Sequence, residues 1–284
     1  MSEKAKQQAA FDMDLRYRQE VGKYGKKDAV VALAAYVFFV IFSIISTIDF
    51  FAFTGRENIA IELSLLMWSI VFFLGTLPVY FIILIKRQGF ASLGIHKEKM
   101  WISLRLGLLF SIIPLTCGII PVLLYGGEYN GYGTPIFGLL ILIIGAVTED
   151  IFFIGFLQTR MYGLFKNDKV AVCVCAALFS IGHMPNWIRG GGLDLDGLII
   201  SILMVVSWFF MHIIFVAIFK RYFSLFPVII LHTMVNLSSI TFWIVPNNHF
   251  IESRLMGITI TTVLLVAIGI WTLLSRRYKD KTSF

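Results

Sequence analysis

The sequence predicts an all-α fold, a polytopic membrane helix bundle of about eight transmembrane helices with both termini in the cytoplasm. Three observations predict it. The residues are 58% hydrophobic and only 14% charged, with a mean hydropathy of +0.84, whereas soluble domains run near half apolar and a quarter charged. Apolar runs recur at about 29–53, 63–85, 102–125, 135–158, 170–185, 197–219, 225–245 and 255–274, each near the roughly 20 residues that a ~30 Å hydrocarbon layer requires. The basic residues between these runs alternate: 20 fall in the termini and loops of one side, and only Arg56, Arg189 and Arg254 in those of the other. Such an asymmetry marks the basic side as cytoplasmic.

Residues 1–28 read as a basic cytoplasmic tail with too few apolar residues for a core of its own, and residues 29–284 as the transmembrane domain. The first apolar run is too long for a removable secretory signal and is followed by further spans. The loop 86–101, KRQGFASLGIHKEKMW, is expected to lie along the interface, with Phe90, Leu93, Ile95 and Trp101 towards lipid and its lysines towards head groups. Arg105, within the third span, reads as snorkelling to the cytoplasmic surface. The fifth run is short, suggesting a tilted or partly re-entrant segment. The outer loop 184–196, MPNWIRGGGLDLD, holds a triple glycine suited to a flexible or tight turn.

Cysteine usage points away from a disulfide framework, because Cys117, Cys173 and Cys175 all fall inside apolar spans. The formal net charge of +7 is accounted for by topology, and no extramembrane segment is large enough to present a groove to nucleic acid. The expected contacts are membrane lipids and a membrane-proximal substrate, and the oligomeric state is left open. No internal repeat is visible, and no broken helices of the kind that line a proton-coupled transporter site.

Ionisable side chains in hydrocarbon are costly, so each one inside a span calls for a functional reading. The fourth span, ILIIGAVTEDIFFIGFLQTR, sets Glu149 and Asp150 side by side in an otherwise apolar run. Neighbouring positions on a helix point about 100° apart, so one carboxylate is expected to face a reaction or binding centre and the other a supporting helix. The fifth span carries Phe179 and His183 four residues apart, and the seventh carries His232 and Asn236 four residues apart. Such pairs share a helix face.

Counting about 1.5 Å per residue from the nearest cytoplasmic basic residue puts Glu149, His183, His232 and Asn236 at depths of roughly 16–23 Å. The four groups thus fall in one layer although their helices run in opposite directions. His212 in the sixth span and Asp49 near the outer end of the first read instead as isolated polar residues bonded to a neighbour or a water cavity.

These residues resemble the CPBP intramembrane proteases, the CAAX prenyl protease and bacteriocin-processing or Abi-type family, which are glutamic endopeptidases. The family pattern is Glu-Glu-x-x-x-Arg, Phe-x-x-x-His and His-x-x-x-Asn on three helices in that order. The counterparts are Glu149-Asp150-Ile-Phe-Phe-Ile154, Phe179-Ser-Ile-Gly-His183 and His232-Thr-Met-Val-Asn236, within a resemblance covering about 90–240 and including the FASLGI stretch. It implies that Glu149 and His183 activate a water against a peptide carbonyl while His232 and Asn236 stabilise the oxyanion, with Asp150 and Phe179 in support.

The implied substrate is a peptide near the membrane surface, such as a prenylated C-terminus or a leader or bacteriocin-type peptide. The implied setting is a bacterial cytoplasmic membrane, after bacteriocin-associated members. The first motif departs from the pattern at Asp150 and at Ile154, where the arginine is missing. That departure leaves a second reading, a catalytically impaired member acting as a regulator, scaffold or immunity-type protein. No cofactor is expected. Zn²⁺ held by Glu149, His183 and His232 is the lesser alternative, because no His-Glu-x-x-His helix is present.

Overall fold

The computed structural model describes residues 15–54, 61–97, 100–125, 135–191, 195–241 and scattered helical positions between 259 and 270. Within them the chain is all-helical. In order come α1 (Lys26–Thr54), α2 (Ile61–Gly75), α3 (Leu77–Ile85), a 3-10 turn (Phe90–Leu93), α4 (Met100–Tyr125), α5 (Pro135–Asp150), a π-helical stretch (Ile151–Gln158), α6 (Thr159–Phe165), α7 (Asp168–Gly191), α8 (Leu195–Tyr222) and α9 (Phe226–Thr241). Three stretches are long and apolar enough to cross a membrane, Lys26–Ile44, Leu139–Phe165 and Gly197–Tyr222, and shorter apolar helices cover 69–85, 100–116 and 226–237. The eighth predicted span and the side chains of Asp49 and Cys117 lie largely or wholly outside the described residues.

The bundle is built around α5 and its continuation. Helix α5 packs between α2 and α9, α9 leans on α4, α7 pairs with α8, and α6 sits against α1. Hydrogen bonds between helices come from hydroxyls that would otherwise be stranded in an apolar interior. Ser69 donates to the Ile141 carbonyl at 3.1 Å and Tyr36 to the Leu178 carbonyl at 2.8 Å. Phe39, Phe152, Phe153 and Phe179 form a continuous aromatic core joining α1, the π-helical stretch and α7.

Four expectations are corrected in detail. The second span is two helices, because Pro78 near the start of α3 cannot donate a backbone hydrogen bond and the chain breaks at Thr76. The fifth is not short: α7 runs 24 residues, through Pro185 and into the glycines at its end, so much of the predicted outer loop 184–196 is helical. Continuing the helix satisfies backbone groups that lipid would leave unpaired.

The loop 86–101 is only partly interfacial. Phe90 and Trp101 are exposed, but Leu93 is fully buried. The turn that carries Leu93 is closed by Gly94 at φ +79°, a conformation that favours glycine, and the Gly94 carbonyl accepts from the Leu225 amide at 3.0 Å. A Cβ on Gly94 would also meet the Phe219 ring at 2.3 Å.

The basic tail is the fourth correction. A helix at 15–22 places Tyr17, Val21 and Tyr24 in the core, where the Tyr17 ring meets Phe219 and Phe223 edge-on. Burial pushes the Tyr17 and Tyr24 hydroxyls above the usual phenol range. Tyr17 also donates to Asp168 at 3.3 Å, and Lys220 pairs with that same carboxylate. Tyr17 and Val21 on one helix face, with Tyr24 just past the helix end, bury a segment whose overall composition is polar.

Candidate active site

The last two residues of α5 are the adjacent acids, both buried, with Glu149 6% and Asp150 0% exposed. Immediately after them the helix widens into the π-helical stretch, a winding found frequently at functional sites. Helix α7 brings His183 to Glu149, with 2.5 Å between Nε2 and Oε1. The other ring nitrogen, Nδ1, lies 2.7 Å from the Phe179 carbonyl. A carbonyl can only accept, so Nδ1 is the donor in this contact and Nε2 is left facing the carboxylate. An imidazole set against a carboxylate at this distance is an arrangement suited to proton transfer.

Helix α9 supplies His232, wholly buried, with Nδ1 3.0 Å from Asp150 Oδ1 and Nε2 3.7 Å from Glu149 Oε2. The sequence reading expected the two carboxylates to face different partners. Their closest contacts do differ, Glu149 meeting His183 and Asp150 meeting His232, whose Nε2 stands 3.7 Å from Glu149. Asp150, deprived of the arginine at 154, is therefore bonded to another helix. Ile154 itself is fully buried in the apolar core.

Asn236 lies one turn beyond His232 on α9 and is half-buried. The three predicted helices thus converge, bringing Glu149, His183 and His232 into direct register, with Phe179 fixing the His183 ring through its carbonyl and its own ring 4.6 Å away. Among the described residues no three His, Cys, Asp or Glu side chains are arranged to hold a metal ion.

Sequence reasoning missed three contributors, two of them on α8. Trp208 on α8 stacks on His183, with ring centroids 5.1 Å apart and planes at 14°, and meets His232 edge-on at 5.8 Å. His212, read as isolated, is wholly buried beside the site, its ring 5.0 Å from Phe179. The available signal was the spacing: Trp208 and His212 are themselves an i, i+4 pair, like the two pairs that were recognised.

The other missed residue is Arg160 of α6, assigned from sequence to a cytoplasmic loop and only 2% exposed. Its guanidinium donates to the Gly155 carbonyl (3.1 Å), Thr159 Oγ1 (2.7 Å) and Gln88 Oε1 (2.6 Å). It also lies over the rings of Tyr24 and Phe156, 4.3 and 4.6 Å from their centroids. It ties the N-terminal segment and the 86–95 loop to the helix that carries the acids.

No curated protein matches the chain. Residues 132–238, which contain Glu149, Asp150, Phe179, His183, His232 and Asn236, match the family described as type II CAAX prenyl endopeptidase Rce1-like, and so the resemblance read from the three motifs is shown over that segment.

Proposed function

We propose that the protein is an intramembrane endopeptidase that hydrolyses a peptide bond of a membrane-proximal substrate, a prenylated C-terminus or a leader-type peptide, using a water activated by Glu149. The observation that carries this reading is the convergence of His183 and His232 on Glu149, with His183 anchored at the Phe179 carbonyl and His232 at Asp150.

In the proposed reaction Glu149 Oε2, the oxygen not engaged by His183, takes a proton from water as the hydroxide adds to the peptide carbonyl. The oxyanion is met by His232, held in place by Asp150, and by Asn236 one turn along the same helix. Collapse of the tetrahedral intermediate breaks the C–N bond, and the proton held by the Glu149–His183 pair passes to the leaving amine. Donors aimed at a developing oxyanion are worth about 3–4 kcal/mol each in other enzymes.

In the same reading the chain spans the membrane about eight times with both termini inside, and its setting is a bacterial cytoplasmic membrane. The alternation of basic residues supports the topology.

The test is cleavage of farnesylated C-terminal peptides and of a leader-peptide library by protein purified in detergent, with and without a chelator. Glu149→Gln should remove cleavage by a factor of about 10³ or more, since the proposed base is lost. A cellular phenotype that survives Glu149→Gln unchanged would mean that the fold serves as a scaffold.

A further inference from the structure

Two histidines on different helices must keep fixed ring planes for the chain of contacts around Glu149 to persist. His183 is held in its own plane by the bond from Nδ1 to the Phe179 carbonyl. That bond restrains one edge of the ring and leaves its faces to be held by packing. The face of Trp208 lies parallel to the same ring, with planes at 14° and centroids 5.1 Å apart, and limits its rotation. The same indole meets His232 at 66° and the Phe179 ring at 63° with centroids 5.5 Å apart. Trp208 therefore touches both histidines and the residue whose carbonyl anchors one of them, although it lies on α8, a helix that contributes nothing to the three motifs.

We infer that Trp208 is a positioning residue, whose indole face sets the tilt of His183 against Glu149 while its edge limits the travel of His232. This rests on the hydrolytic reading above for its kinetic consequence but not for its geometry. The role needs a flat ring more than it needs an indole, and Phe should fulfil most of it where an aliphatic side chain cannot.

The experiment compares Trp208→Phe and Trp208→Leu with the parent protein in detergent, by kcat and KM on a cleaved peptide. It is paired with nitrogen-15 NMR of selectively labelled histidine, the His183 signal being assigned by its loss in His183→Gln. Trp208→Leu should lower kcat about 10–100-fold, as loss of supporting groups does in other sites, with KM within about threefold, and its His183 should sample both tautomers. Trp208→Phe should recover kcat to within about fivefold and keep His183 as a single Nδ1-protonated species.

If Trp208→Leu does not fold, Trp208→Met, which fills the space without a flat face, serves in its place. An aliphatic variant with unchanged kcat and a single His183 tautomer would overturn the inference. A parent protein that cleaves nothing while its His183 signal responds to Trp208 substitution would sink the hydrolytic reading and leave this one standing.

Discussion

His232 Nδ1 lies 3.0 Å from Asp150 Oδ1, joining side chains 82 positions apart in the sequence. Both groups are wholly buried, and a buried carboxylate without a partner is strongly disfavoured. The contact thus serves two ends, satisfying Asp150 and turning the opposite ring nitrogen towards Glu149.

Asp150→Asn should keep the shape of this contact and weaken it, since the amide oxygen can still accept but carries no charge. We expect kcat to fall about 10–100-fold with little change in KM, and Asp150→Ala to fall further. Steady-state kinetics on the cleaved peptide decides it, and parent-like turnover in Asp150→Ala would show that His232 is oriented by packing alone.

Arg160→Ala should destabilise the folded protein by about 2–4 kcal/mol, because it takes the donor from the Gln88 side-chain oxygen and empties the space between two rings. Arg160→Lys should recover only part, as an ammonium cannot serve these acceptors with a planar fork. Thermal melting in detergent measures both, and an Arg160→Ala protein melting with the parent would remove the guanidinium from any structural role.

Gly163→Ala tests the seat of the N-terminal segment. A Cβ there would stand 2.4 Å from the Gly25 carbonyl oxygen and 2.8 Å from its carbon, both backbone atoms that cannot turn aside. Overpacking of this kind costs about 1–3 kcal/mol. Limited proteolysis should find residues 15–25 cut sooner than in the parent, and an unaltered cleavage pattern would argue that the segment is not seated on α6.

Cys173 and Cys175 provide a contrast within a single helix turn. Cys173 is exposed and Cys175 buried, so a membrane-permeant maleimide should modify the first in the folded protein and the second only after denaturation. Mass spectrometry of the labelled α7 peptide reads this out, and early modification of Cys175 would contradict the packing of α7 against its neighbours.

The sequence revealed the site better than it revealed the bundle's inner seams. Glu149, His183, His232 and Asn236 were legible because charge inside an apolar run is conspicuous and because i, i+4 spacing survives any helix geometry. Leu93, Tyr17 and Arg160 were not, since each sits in a polar stretch whose average character says surface. Their burial depends on what lies across from them: a glycine at 155 that admits Leu93, a pair of phenylalanines that receives Tyr17, a tyrosine and a glutamine that surround Arg160. Trp208 escaped notice for the opposite reason, as one aromatic residue among many in an apolar span gives no compositional contrast.

The loosely wound stretch from Ile151 to Gln158 carries more residues per turn than the helices on either side, and this excess acts as a phase adjuster along one continuous rod. Upstream it presents two acids to the histidines, and downstream it presents a guanidinium to the amino-terminal strap. Removing a single residue from the stretch would rewind it and rotate one end relative to the other, so that either the acids or the guanidinium lost their partners. The length of this segment, more than the identity of its apolar side chains, keeps both ends in register.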